Sequence, residues 1–232
     1  MINTYRKSDE EALAETQRFF VKVYGWMALA LIVTGLVSVW TASHPDIANV
    51  VIGNRIVFFV LLLAELLLVA FLVMWLKGMS SQIATLVFIL YSALNGLTLS
   101  VIFLVFTTDS IASTFFITAG LFAIMSIYGY FTKTDLTGFG NLLLMGLIGL
   151  ILASVINMYY QNEMLYWITT YVGVFIFVGL TAYDTQKIKK LNIIGNEGTD
   201  EDKKEAIIGA LTLYLDFINL FLRLLRIFGK RK

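Results

Sequence analysis

The chain has 232 residues, 59% of them apolar and only 14% charged, with a mean hydropathy of +0.82; soluble domains run about 45–50% apolar and about 25% charged. A formal net charge of +1 leaves no basic surplus to neutralise nucleic-acid phosphates. The absence of cysteine excludes disulfides and thiolate chemistry, and the lone His44 excludes the usual His-rich zinc sites. These proportions belong to a polytopic membrane protein.

A bilayer core about 30 Å thick needs roughly 20 mostly apolar residues per helix. Seven runs qualify in chain order: 20–42, 55–76, 82–106, 111–131, 140–160, 167–183 (running on towards Lys190) and 206–228. The joins carry turn chemistry, as in His44-Pro45-Asp46, Gly78, Thr107-Thr108-Asp109, residues 132–138 and Asn162-Glu163. The runs are continuous rather than alternating with period two, which excludes barrel strands and predicts an all-α bundle. The organisation is one membrane domain over 1–232. A head over 1–19 precedes six spans over 20–190, a polar linker over 191–205, a seventh span over 206–228 and a basic tail over 229–232. The head reads as a frayed or surface-lying helix, and the linker, with its run from Thr199 to Glu205, as a solvated loop. The first apolar run exceeds a signal-peptide core and lacks a basic start, so it reads as a retained span.

Lysine and arginine set the orientation. With a cytoplasmic head, eleven basic residues fall on the inner side, in the head, at Lys77 and Lys133, and in the sixth join; the outer joins hold only Arg55. The seventh span ends in Arg223, Arg226, Lys230, Arg231 and Lys232. Either the charge rule yields there, or the last helix is re-entrant and returns to the cytoplasmic side.

Ionisable side chains at membrane depth face a bundle interior or a wet cavity. Three stand out: Glu65 in span two, Asp184 at the end of span six and Asp216 within span seven. In span seven, Thr212, Asp216, Asn219, Arg223, Arg226 and Lys230 recur at steps of three and four, so they share one helix stripe. That stripe is expected to face other helices or water. Arg223, Arg226 and the tail also fit as interfacial anchors that snorkel to headgroups. Asp216 does not, because it lies roughly 15 Å along the helix. Its best partner is Asp184, about 9 Å inside the end of span six. Two carboxyls sharing a site cannot both ionise cheaply, so one proton is retained, and its loss or gain gates a passage. The alternative is that Asp184 caps its helix or pairs with Lys187 or Lys133. Glu65 must face inward, towards Arg223 or Lys77, or stay neutral. Asn95, Thr98, Asn141 and Asn157 are expected to bond between helices, and Gly146, Gly149 and Ala153 to mark a close helix contact. Tyr159, Tyr160, Tyr166 and Trp167 read as an interfacial belt.

The stretches Gly179–Ile188 (GLTAYDTQKI) and Ala210–Arg226 (ALTLYLDFINLFLRLLR) resemble the two carboxy-terminal signatures of the Bax inhibitor-1 family. The resemblance covers nearly the whole chain, including Tyr24-Gly25-Trp26-Met27 and residues 126–130, and is greatest to the bacterial inner-membrane branch. It implies a seven-helix fold in which two three-helix layers wrap a central last helix, and a full crossing by that helix. It also implies a pH-sensitive calcium leak whose sensor is an aspartate pair matching Asp184 and Asp216, with a membrane acid matching Glu65. One member of the family has an arginine near the end of the second helix that locks the closed state; the nearest basic residue here is Lys77, one place out of register, and a lysine lacks the bidentate fork of that latch.

Three functions compete. In a calcium leak, Asp184 and Asp216 are transient calcium ligands and line or close the path together with Asn219, since a hard cation takes carboxylate and amide oxygens. As an interaction protein, the chain modulates a membrane-bound AAA protease or a stress response through its head or acidic linker. An intramembrane aspartyl protease needs a glycine-flanked second aspartate, whereas Asp216 sits in Leu213-Tyr214-Leu215-Asp216-Phe217. No phosphate loop, nucleophile–base pair or cofactor motif appears, so the expectation is a non-enzyme without cofactor, in a bacterial inner membrane.

Overall fold

The computed structural model describes residues 9–232; residues 1–8, with Arg6 and Lys7 of the expected head, lie outside them, as do the side chains of Asp9 and Lys77. The elements are α1 (Asp9–Ala42), α2 (Pro45–Ala48) with a π turn at Asn49–Gly53, α3 (Arg55–Trp75) with a tight turn at Leu76–Gly78, α4 (Ser81–Leu99), α5 (Val101–Val105), α6 (Thr108–Phe131), α7 (Thr137–Tyr160), α8 (Glu163–Leu191) and α9 (Asp200–Phe228). Taking α4 with α5, seven helices among the described residues are long and apolar enough to cross a membrane. The protein is an all-α membrane protein. The enclosure of its helices differs widely: two thirds of the most apolar stretch of α9 is buried, against 11% in α3 and in α7.

The described residues fall into two compact units, one running up to Val101 together with Ile188–Leu211, the other of Ile102–Lys187 with Thr212–Lys232. In the first, α1 and α3 both pack on α4. Hydroxyls and a glycine bring α1 and α4 together. Thr34 Oγ1 donates to Ser92 O at 2.9 Å and Ser38 Oγ to Gly96 O at 2.8 Å. A Cβ on Gly96 would stand 2.8 Å from Thr34 O, so only glycine admits this approach. Without a hydrophobic drive between helices in lipid, such small and polar contacts hold them.

The head end of this unit is tied by charge. Arg18 grips Glu197 with two bonds of 2.7 and 2.8 Å, and Lys22 reaches Asp202 at 2.7 Å. Glu15 accepts from Gly195 N at 2.8 Å, and Asp200 accepts from Ser81 N at 2.9 Å. The expected linker is correspondingly shorter than its composition suggests. Helix α9 already begins at Asp200, because Thr199 Oγ1 accepts from Asp202 N and Asp202 accepts from Gly198 N. Thr199 thus caps the helix, and three acids in the first turn complement the helix dipole.

In the second unit, Leu143, Leu150, Ile176, Phe177, Leu180, Leu220 and Leu224 form a core shared by α7, α8 and α9. Phe217 adds edge-on contacts to Phe115 and Phe122 of α6 at 5.3 and 5.5 Å. The close glycine contact expected at Gly146, Gly149 and Ala153 is only partly there: a Cβ on Gly146 would touch Ile176, but one on Gly149 would meet nothing. The tightest approach is instead Gly129 of α6 against the Ala182 carbonyl of α8, where no Cβ fits.

The tail resolves the last span. Thr107 N donates to Lys230 O at 2.9 Å, Lys232 N to Val105 O at 3.0 Å and Lys232 Nζ to Phe103 O at 2.6 Å, with an antiparallel bridge between Phe106 and Arg231. The tail therefore lies with the third join, and α9 starts beside Ser81 of the second join. Its 29 residues form one unbroken helix about 43 Å long, more than a bilayer core. The backbone does not turn back anywhere along this helix, as a re-entrant segment would.

Candidate functional site

Helices α8 and α9 carry the site. Asp184 and Asp216 are 8% and 5% exposed, and their carboxyls lie close enough to act on one another. Two carboxylates are acceptors only, so a bond between them contains a proton. The second oxygen of Asp216, Oδ2, is buried with no hydrogen-bond partner. Lys187, one turn beyond Asp184, is close enough for its charge to act on that carboxyl, but its ammonium sits over the Tyr183 ring, 5.9 Å from the centroid. Lys133 is exposed.

The backbone around Asp184 is gripped from several sides. Gln186 acts as a two-pronged clamp: its Nε2 donates to Thr134 O at 2.8 Å and its Oε1 accepts from Leu136 N at 2.9 Å. Gly129 abuts Ala182, and Gly140 abuts Tyr183. Thr181 and Thr185 return their hydroxyls to their own helix at 2.7 Å, to Phe177 O and Thr181 O. Asp184 thus projects from a segment locked to α6, α7 and the join between them. Gln186 and Gly129 carry no local signal of this role, since their partners are distant in sequence.

The other candidates separate from the pair. Asn219, one turn from Asp216, spends its amide on Leu215 O of its own helix at 2.8 Å. Arg223 lies two turns along, with its stem against Gly173 and a buried Nη1 that has no partner. Glu65, 8% exposed, accepts from Asn95 Nδ2 at 3.1 Å and from Thr98 Oγ1 at 2.9 Å. The expected bonds of Asn95 and Thr98 between helices are therefore made, and they are made to Glu65. Asn157 instead caps the end of α7, accepting from Asn162 N at 2.8 Å, and Asn141 is exposed. The side chain of Lys77, the proposed latch, lies outside the described residues.

Among the described residues no three His, Cys, Asp or Glu side chains converge to hold a metal ion. Two carboxyls supply too few oxygens for the six to eight that calcium takes in a resident site, so an ion here would keep most of its water.

Comparison with known proteins agrees with this architecture. Residues 16–232 match the family model described as inhibitor of apoptosis-promoting Bax1. The chain is 51% identical over 220 residues to the inner membrane protein YbhL of Escherichia coli, covering 94% of each. It is 42% identical over 224 residues to an uncharacterized protein of Borreliella burgdorferi, covering 97% of each, and 42% identical over 221 residues to the uncharacterized protein RP147 of Rickettsia prowazekii, covering 93% of this chain and 91% of that one. A match over nearly the whole length, with the paired aspartates on its last two helices, makes the chain a member of the Bax inhibitor-1 family.

Proposed function

We propose that the chain is a calcium leak of a bacterial inner membrane whose passage is controlled by the proton held between Asp184 and Asp216. The observation that carries this reading is the placing of two buried carboxyls side by side on α8 and α9, with one oxygen of Asp216 left unpartnered.

With one proton, the pair forms a charge-assisted bond, which is about twice as strong as a neutral one. Adding a second proton replaces it with a neutral bond and loosens the link between α8 and α9. Acid therefore opens the path. An incoming calcium ion finds oxygen ligands at the pair but no closed cage, which favours transit over storage. The head face is cytoplasmic in this reading, following the excess of Lys and Arg in the head and the even-numbered joins.

The test is calcium entry into dye-loaded vesicles containing the purified protein. Flux is expected to rise from about pH 8 to about pH 5, as a coupled carboxyl pair takes up protons. Asp184→Asn and Asp216→Asn are expected to flatten that dependence. Wild-type flux and pH profile in both variants would overturn the reading.

A further inference from the structure

The tail end of the second unit holds a pocket of about 890 Å³ that the ion path does not use. Its polar lining includes Arg226, Arg231, Glu163, Tyr166, Asn157 and Asn162. Arg226 lies over the Tyr166 ring at 5.4 Å, which fixes its guanidinium while leaving its N–H edges free. Arg223, one turn deeper, faces Arg226 closely enough for the two charges to repel. Among the described residues, none of these three guanidiniums forms an ion pair, and Arg223 Nη1 is buried without a partner. The head face behaves differently, because there the cations of Arg18 and Lys22 are matched by Glu197 and Asp202.

Arg226 and Arg231, both exposed, line the pocket against a single carboxylate, Glu163, so its charge balance is positive. The asparagines point the same way. Asn157 Oδ1 accepts from Asn162 N, and Asn162 Oδ1 accepts from Leu165 N at 2.9 Å. With both oxygens turned to backbone, each side chain has its Nδ2 donors left for a ligand. We propose that this pocket binds a phosphate group, held by Arg226 and Arg231 with the asparagine amides and opposed by Glu163. Planar guanidinium forks match phosphate oxygens two at a time, which favours phosphate over a spherical anion. The exposed Tyr159 and Tyr160 beside the pocket mark interfacial depth, where the phosphate of a phospholipid headgroup lies; soluble phosphate carries the same chemistry. The proposal stands or falls independently of the ion path.

The full-length protein in phosphatidylcholine nanodiscs is titrated with short-chain phosphatidylglycerol, read by native mass spectrometry, and separately with inorganic phosphate, read by calorimetry. Saturable binding of one phosphatidylglycerol per chain is expected, weakened about tenfold by Arg226→Ala combined with Arg231→Ala as charge-assisted bonds are lost. Inorganic phosphate binding with the same sensitivity would assign the site to a soluble anion. Equal retention of both probes by wild type and the double variant overturns the proposal. Should that variant fail to fold, Glu163→Gln removes the opposing charge and is expected to tighten binding about threefold; unchanged affinity in that variant overturns the proposal equally.

Discussion

Glu65 and the Asp184–Asp216 pair are both acids buried among apolar helices, but their surroundings differ in kind. Glu65 has a neutral donor for each oxygen, Asn95 for one and Thr98 for the other, both from α4. It is a bracket between α3 and α4. The aspartates have chiefly each other, with Asp216 Oδ2 unsatisfied. The amide and hydroxyl that hold Glu65 carry no titrating proton of their own, whereas two carboxyls side by side must change how they bond when the number of protons between them changes. Burial alone does not mark a switch; what the acid is bonded to does.

The contrast can be broken most severely at Glu65. Glu65→Ala removes both acceptors and leaves the donors of Asn95 and Thr98 in a cavity, so a loss of about 2–3 kcal/mol in unfolding free energy is expected. The pH profile of calcium flux should keep its shape; a shifted profile would make Glu65 part of the sensor. The double variant Asp184→Asn with Asp216→Asn ranks second. Its amides still bond to one another, so stability should change little, while an acid-to-base flux ratio of about tenfold, equivalent to about 1.4 kcal/mol, collapses towards one. Stopped-flow dye entry at the two pH extremes measures it.

Asn95→Ala comes next. Hydrogen bonds between membrane helices average about 0.6 kcal/mol, and a loss of that order is expected in a denaturation titration, with flux unaltered. The smallest effect belongs to Arg18→Ala at the head. Its pair with Glu197 is more than half exposed on the arginine side, so the loss of stability in a denaturation titration is expected to be the least of the four, and high salt should erase the difference from wild type.

Much of this arrangement is legible in the sequence because it depends on periodicity. The seven apolar runs and the step of three and four that aligns Asp216 with Asn219, Arg223 and Arg226 are local patterns, and local patterns survive folding. The start of α9 was also encoded, in Thr199 followed three residues later by Asp202, but the density of charge there reads as solvated loop unless the cap is weighed against it. What stays hidden is pairing across distance. Nothing near Gln186 announces a bond to Thr134 and Leu136 some fifty residues away, and nothing near Gly129 announces Ala182. Asn157 illustrates the opposite error, since an asparagine in an apolar run suggests a bridge between helices when its oxygen in fact closes its own helix end.

Helix α9 is moored at both extremities, by Ser81 and Lys22 at its first turn and by Thr107, Val105 and Phe103 just past its last. The helix is thus held by the first unit at one end and by the second at the other, while Asp216 lies on the stretch that belongs to the second, together with Asp184. A pull on the tail is passed to the carboxyl pair along one continuous helix.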